Sequence, residues 1–367
     1  MPSLKNDFLI QRHLIPLEKR GAYCFSSNDY LGLAKHPHVV AAAIQGVNAL
    51  GWGSTGSRLL SGDRQVFHDL EQALAAFKHT EAALVFGGGY PMNVGVVAAV
   101  VGVGDVIFAD RLVHASVLDG ARLSGARLFR YRHLDMAHLE ALLAKNRSGY
   151  KRALIVTESV FSMDGDIAPL DRLIGLKQQY HAVLMVDEAH AVGVMGVGGV
   201  GCVSATMARD VDLIVGTMGK AMGGVGGFLA CTRAWRAFFV QTARSLIFST
   251  AMPPASAYAA LAALEIISHE SRGSEVLLKA VRFREELKTL GYDVLGETHI
   301  VPIVLYCELK TKAASDYLLA QGMDVPMIQY PTVPKNQARL RVSMTYLHTP
   351  EMIQSLVSAF KMYKEKV

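Results

Sequence analysis

Cysteine is scarce in this chain: Cys24, Cys202, Cys231 and Cys307 stand far apart and form no C-x-x-C pair. Such spacing offers neither a zinc site nor a disulfide framework and suits a reducing, cytoplasmic setting; no metal is expected. Charge is sparse too, at 19% of residues. The excess of 37 Lys and Arg over 32 Asp and Glu is scattered, with no basic run longer than Lys19-Arg20 or Lys151-Arg152. Nucleic acid is a poor partner for such a chain. An unbroken membrane-spanning run is missing as well. Residues 82–104 carry no charge and are long enough to cross a bilayer, but Gly87-Gly88-Gly89, Pro91 and Asn93 interrupt them. They are read as a strand, a turn and a buried helix. At the start, Lys5, Asp7, Arg12 and Glu18 occupy the stretch where a signal peptide would need an apolar core.

What is plentiful is apolar side chain, 51% of the total, and glycine, 33 residues without a collagen-like period. Disordered and fibrous classes are thereby excluded. A chain of 367 residues can bury a large core as two or three domains, or as one large α/β domain with a satellite.

Three apolar runs share one design: ALIVTESVF (153–161), AVLMVDEAH (182–190) and DLIVGTMGK (212–220). Each is a short β-rich stretch ending in polar residues, and their spacing of about 30 residues is that of βαβ units. Parallel strands buried on both faces are expected, with a helix over 170–180 in the first gap. Residues 63–78 carry helical spacing behind the capping candidate Ser61. After Pro253-Pro254, a helical stretch leads into a charged segment, 270–288. The composition shift near residue 269 predicts an N-terminal segment (1–35), a large domain (36–268) and a small C-terminal domain (269–367).

Ligands bind beyond the carboxyl ends of strands in such sheets, which would bring Ser162, Asp187, His190 and Lys220 to one rim. Lys220, in TMGKAMGG, is a surface residue or a functional amine. Asp187 closes an apolar strand, where a carboxylate needs a cation or a hydrogen-bond donor opposite it. It is a cap, a structural ion partner, or the counter-ion of a protonated ring nitrogen such as that of pyridoxal phosphate. Gly87-Gly88-Gly89-Tyr90 lies between a strand and a helix expected from Pro91 or Met92. Backbone N–H groups there form a phosphate cradle or merely a tight turn. Thr217 and Ser162 add hydroxyls at two strand ends. Gly196-x-Gly198-x-x-Gly201 matches the dinucleotide fingerprint but does not directly follow a strand, so it reads as a flexible loop near the rim.

From FSSNDYLGLAKHP (25–37) through GSRLLSGD, DRLVHASVLDGARLSGA, ESVFSMDGDIAPL, VDEAHAVGVMG and GTMGKAMGG to YPTVPKNQARLRVSM, the chain resembles the α-oxoamine synthases. These are fold-type-I transferases that use pyridoxal phosphate. The resemblance implies a mostly parallel central sheet flanked by helices, with a smaller α+β C-terminal domain. It puts the family's Schiff-base lysine on Lys220, the ring-nitrogen partner on Asp187, the contact to the phenolic oxygen on His190 and the ring-stacking histidine on His114. Ser162 and Thr217 match cofactor-contacting hydroxyls, Gly89 and Tyr90 the backbone of the glycine loop. Asn28, Thr332 and Arg341 match positions near the substrates, and Arg12 is the candidate for the acyl-chain carboxylate. SSNDYLGL, DRLVHAS and ARSLIFSTAMPP together point to the biotin-pathway branch. There an acyltransferase condenses L-alanine with a pimeloyl thioester of CoA or acyl carrier protein and carbon dioxide is lost. A homodimer is implied, with Ser249 and Thr250 as candidates on the phosphate of a shared site. Three departures, His133-Leu134-Asp135 for HND, Ala-Val-Gly after His190 and GGGYPMN for SGFxAN, leave specificity open. Members of the glycine acetyltransferase or 5-aminolevulinate synthase type are the alternative.

Overall fold

The computed structural model describes residues 23–366. Its centre is a seven-stranded sheet. β2 (Ala82–Phe86), β3 (Val106–Asp110), β4 (Arg127–Tyr131), β5 (Ala153–Glu158), β6 (Val183–Asp187), β7 (Leu213–Thr217) and β8 (Gly227–Cys231) lie in the order β2-β8-β7-β6-β5-β3-β4. All run parallel except β8, which is antiparallel to both neighbours. The predicted strands at 153, 182 and 212 are therefore the middle of the sheet.

Their unbroken apolar sequence follows from burial on both faces. Leu184 and Val186 of β6 enter one core layer, while Met185 between them enters the other. The second layer is closed by α3 (Gly89–Val100), α4 (Ala115–Ser124) and α7 (Arg233–Thr242) through Val96, Val117 and Phe239. The first is closed by α2 (Gln65–Phe77), α5 (Met136–Asn146), α6 (Leu170–Gln179) and α9 (Pro254–His269). Residues 82–104 form a buried strand, a glycine turn and a helix, as their interruptions require. No helix among the described residues is long and apolar enough to cross a membrane.

The helix expected over 63–78 starts later than its sequence suggests. Its cap is Arg64, with no side-chain capping bond, rather than Ser61. Gly62 packs directly on the Gly56 carbonyl and the Asp63 carboxylate is taken by Arg58 and His68, so the turn before the helix is fixed by other contacts.

Beyond α9 lie α10 (Arg272–Thr289), α11 (Glu308–Ala320), α12 (Pro350–Lys366) and an antiparallel sheet. Its order is β12 (Met327–Ile328), β13 (Ala338–Ser343), β10 (Ile300–Tyr306) and β9 (Asp293–Val294). β1 (Tyr23–Cys24) pairs in parallel with β11 (Met323–Asp324), which ties the residues just before Asn28 to this unit. α1 (Pro37–Leu50) packs on α9 so closely that a Cβ at Gly46 would lie 2.8 Å from the Ala255 Cα.

Candidate active site

The carboxyl ends of β2, β3, β5, β6 and β7 point to one rim, and a cleft opens there. Its walls include Gly89, His114, Asp187, His190, Thr217 and Lys220. Each stands just beyond, or at, the end of a parallel strand, the position at which such sheets present ligand-binding groups.

Lys220 follows β7 by three residues, and its Nζ lies 2.7 Å from His190 Nε2. The other ring nitrogen, Nδ1, is 2.6 Å from the hydroxyl of Tyr30, which itself donates to Asn28 Oδ1 at 3.0 Å. Since the Tyr30 proton is committed to Asn28, the hydroxyl accepts from Nδ1–H. Nε2 is then left as the acceptor for the lysine. Burial holds the Lys220 amine below its ordinary pKa, against the opposing charges of Asp187 and Glu158. Burial likewise pushes His190 down, helped by the positive charges of Lys220 and Arg341, so its ring is neutral.

Asp187 is buried at the end of β6. It accepts from Asn93 Nδ2 at 2.8 Å and from the Ala189 N–H at 2.9 Å. His114 caps α4. Its Nδ1 accepts from the Ser116 N–H at 3.3 Å and meets the Ser116 hydroxyl at 2.7 Å, which places the ring proton on Nε2. Burial lowers the pKa of His114 although Asp187 pulls it up. Tyr90 stands edge-on to this ring, 6.1 Å between centroids, with its hydroxyl on Asp119.

The glycine loop continues directly into α3, which begins at Gly89 rather than at Pro91 or Met92. Gly89 and Tyr90 thus occupy its first turn, where peptide N–H groups have no partner inside the helix. A Cβ on Gly89 would touch Thr217, whose Oγ1 donates to the Gly226 carbonyl at 2.9 Å.

Arg341 and Asn28, 313 positions apart in the chain, come within 3.4 Å. Arg341 also donates to the Ser162 carbonyl at 2.6 Å and to Ser343 Oγ at 2.6 Å, and it pairs with no carboxylate among the described residues. Its strand neighbour Arg339 is bound by Asp164 at 2.7 Å. Ser162 offers its backbone rather than its hydroxyl. Thr332 lies on an exposed turn, and Thr250 lies with Ser249 in a separate recess beside Gly87; neither lines the cleft of this chain. Arg12 falls outside the described residues. The Gly196–Gly201 loop does not line the cleft either. It wraps the buried carboxylate of Glu188, which pairs with the buried amine of Lys78.

Four cleft or near-cleft residues lie inside the quoted motifs without being singled out from the sequence: Tyr30, Asn93, Ser116 and Glu158. Glu158 could have been found, because it closes an apolar strand just as Asp187 does.

The family model of aminotransferase class I and II matches residues 23–360. The chain belongs to that family. Among curated relatives, the 8-amino-7-oxononanoate synthase of Geobacter sulfurreducens is 46% identical over 93% of this chain and 88% of its own length. Among solved structures, a serine palmitoyltransferase from S. paucimobilis with bound PLP-myriocin aldimine is similar. It shows TM-score 0.90 and 29% identity over 94% of this chain and 87% of that one. The 8-amino-7-oxononanoate synthase of Francisella tularensis matches with TM-score 0.81 and 28% identity over 94% of this chain and 99% of its own.

The residues fit the family's cofactor, pyridoxal phosphate. A buried carboxylate with no cationic partner among the described residues suits a ring nitrogen, a helix N-terminus with no side-chain capping bond suits a phosphate, and an amine of lowered pKa suits an aldehyde. Asn93 also leaves its buried Oδ1 without a partner at this site.

Proposed function

We propose that the chain condenses L-alanine with a pimeloyl thioester, of CoA or acyl carrier protein, to 8-amino-7-oxononanoate with loss of carbon dioxide, a step toward biotin. The convergence of Lys220, Asp187, His190 and His114 on one rim carries the reading. The name of the Geobacter sulfurreducens relative, at 46% identity, supports the choice of substrates.

Pyridoxal phosphate, when bound, supplies an electron sink for the carbanion at the amino-acid Cα. Lys220 would hold the cofactor through its aldehyde, and its amine, of lowered basicity, is placed to take the Cα proton onto Nζ. His190 Nε2 orients that amine by accepting one of its hydrogens. Asp187 holds the proton on the ring nitrogen, and Asn93 fixes its carboxylate. The N–H groups of the α3 first turn hold the phosphate, with Thr217 beside them. His114 presents Nε2–H to the thioester carbonyl, where a preorganised donor is worth roughly 3 kcal/mol. Arg341, with no carboxylate partner among the described residues, receives the carboxylate of the amino acid with Asn28. Arg12 and Thr332 serve the acyl chain. A second copy of the chain supplies Ser249 and Thr250, both of which sit near exposed apolar residues.

The purified protein should take up pyridoxal phosphate and turn yellow, and borohydride should fix the cofactor on a peptide containing Lys220. A protein that stays colourless, or a fully active Lys220→Ala variant, refutes the assignment. The substrate pair is read from a screen of alanine, glycine and serine against pimeloyl, acetyl, succinyl and palmitoyl thioesters, with products identified by mass. Turnover of serine with the palmitoyl donor alone would favour the activity named for the S. paucimobilis structure.

A further inference from the structure

Glu158 and Asp187 are register partners at the ends of β5 and β6, so their carboxyl groups leave adjacent strands on the same side and both line the cleft. Adjacent strands stand about 4.8 Å apart, which puts two acidic groups side by side in a site that water barely reaches. Glu158 is 3% exposed and Asp187 5%. Neither has an ion-paired Lys or Arg among the described residues.

Their surroundings differ. Asp187 is held by the side chain of Asn93 and the N–H of Ala189. Glu158 faces the peptide N–H groups of His114 and Ser162, yet its Oε1 is buried without any hydrogen-bond partner. An anionic oxygen in that position would be uncompensated, whereas a protonated carboxyl group is the cheaper state. Two neighbouring buried carboxyl groups resolve their repulsion by sharing one proton, and the better-solvated member keeps the charge.

We propose that Glu158 waits in the unliganded site as a neutral acid and gives up its proton when the cationic ring nitrogen of the cofactor arrives beside Asp187, so that cofactor capture is linked to proton release. This rests on the assignment of Asp187 as the ring-nitrogen partner. The charged and titratable groups facing Glu158 are Asp187 from β6, Lys220 beyond β7 and His114 before α4. Burial and the Asp187 charge raise the pKa of Glu158, while Lys220 lowers it. A new positive charge at Asp187 offsets the second of these causes and adds to the pull of Lys220, which favours release of the proton. Glu158 is thereby a positioning residue: it stands beside Asp187 and faces the peptide N–H groups of His114 and Ser162.

The test uses pyridoxine 5′-phosphate, which has the ring nitrogen and phosphate but no aldehyde to react with Lys220. Calorimetric titration near neutral pH, in buffers of different ionisation enthalpy, counts the protons exchanged on binding. The wild type should release up to one proton more than Glu158→Gln. Infrared difference spectra of the wild type alone should show a protonated carboxyl band lost on binding. Equal proton counts, or a spectrum without that loss, overturn the linkage while leaving the cofactor assignment standing. Failure of both the analogue and pyridoxal phosphate to bind the wild type overturns the assignment and the linkage with it.

Discussion

His133 shows how a single side chain fixes the position of two loops that border the cleft. Its Nδ1 meets Asp110 Oδ1 and its Nε2 meets Asp166 Oδ2, each at 2.9 Å. Asp110 ends β3 just before the turn that leads to His114. Its carboxylate also accepts the N–H groups of Leu112 and Leu134, both bonds within 2.9 Å. Leu134 stands where the resemblance expects asparagine and has φ +54°, a left-handed conformation that asparagine tolerates better than leucine. The Asp110 clamp holds it there. Burial alone would lower the pKa of His133, but the hydrogen bonds and charges of the two aspartates outweigh it and raise it to about 10. A raised folded-state pKa means that the stabilisation is complete below the unfolded value of about 6.5 and is lost as pH climbs toward the folded value. Replacing His133 by Gln should therefore cost roughly 1–3 kcal/mol near pH 6, with a gap to wild type that narrows steadily as pH rises to about 10. Urea unfolding at a series of pH values measures this; a gap that widens with pH contradicts the clamp.

At the scale of elements, the three central strands were legible because burial on both faces leaves their interiors apolar, and the rim was legible because each run ends abruptly in polar residues. Lys220, Asp187, His190 and Thr217 reach the cleft that this pattern predicts and Ser162 does not line it, while Gly89, from the glycine loop, and His114, from the resemblance, join them. What could not be read was contact between distant segments. Arg341 meets Asn28 only because β1 pairs with β11 next to the antiparallel sheet, and Tyr30 reaches His190 by the same route. Hydrogen bonds between a helix and a strand end, such as that from Asn93 of α3 to Asp187 of β6, leave no periodic trace either. Close approach of backbones is similarly silent in sequence. Gly227 opens β8 beneath the glycine loop, and a Cβ added there would lie 2.8 Å from the Gly88 carbonyl oxygen and 3.0 Å from the Gly89 Cα. Neither neighbour is a side chain that can swing aside, so Gly227→Ala should push the first turn of α3 away from the rim. The expected result is about tenfold weaker binding of pyridoxal phosphate, equivalent to about 1.4 kcal/mol, with a smaller change in thermal stability. Unchanged affinity would show that this turn does not hold the phosphate.

For the whole molecule, the open question is what covers α1. One side of this helix is spent on α9, where a Cβ at Gly46 would lie 2.8 Å from the Ala255 Cα. Another side carries Val40, Ile44 and Val47, spaced as one helical stripe and all exposed, Ile44 to 55%. Trp52, Leu59 and Leu60 extend the apolar surface along the following segment, and exposed Phe248 leads directly to Ser249 and Thr250. Several exposed apolar residues on and near one helix are the kind of surface that an interface covers. In the homodimer proposed above the occupant is a second copy, and the placement of Thr250 outside this chain's own cleft would give that copy something to contribute. Assembly and cofactor binding should then fail together. Ile44→Glu puts a charge in the middle of the stripe without touching the core, so it should shift the protein toward monomer in light scattering and weaken retention of pyridoxal phosphate in parallel. A monomeric variant that holds the cofactor as firmly as the wild type would separate the two and leave Ser249 and Thr250 without a role at the phosphate.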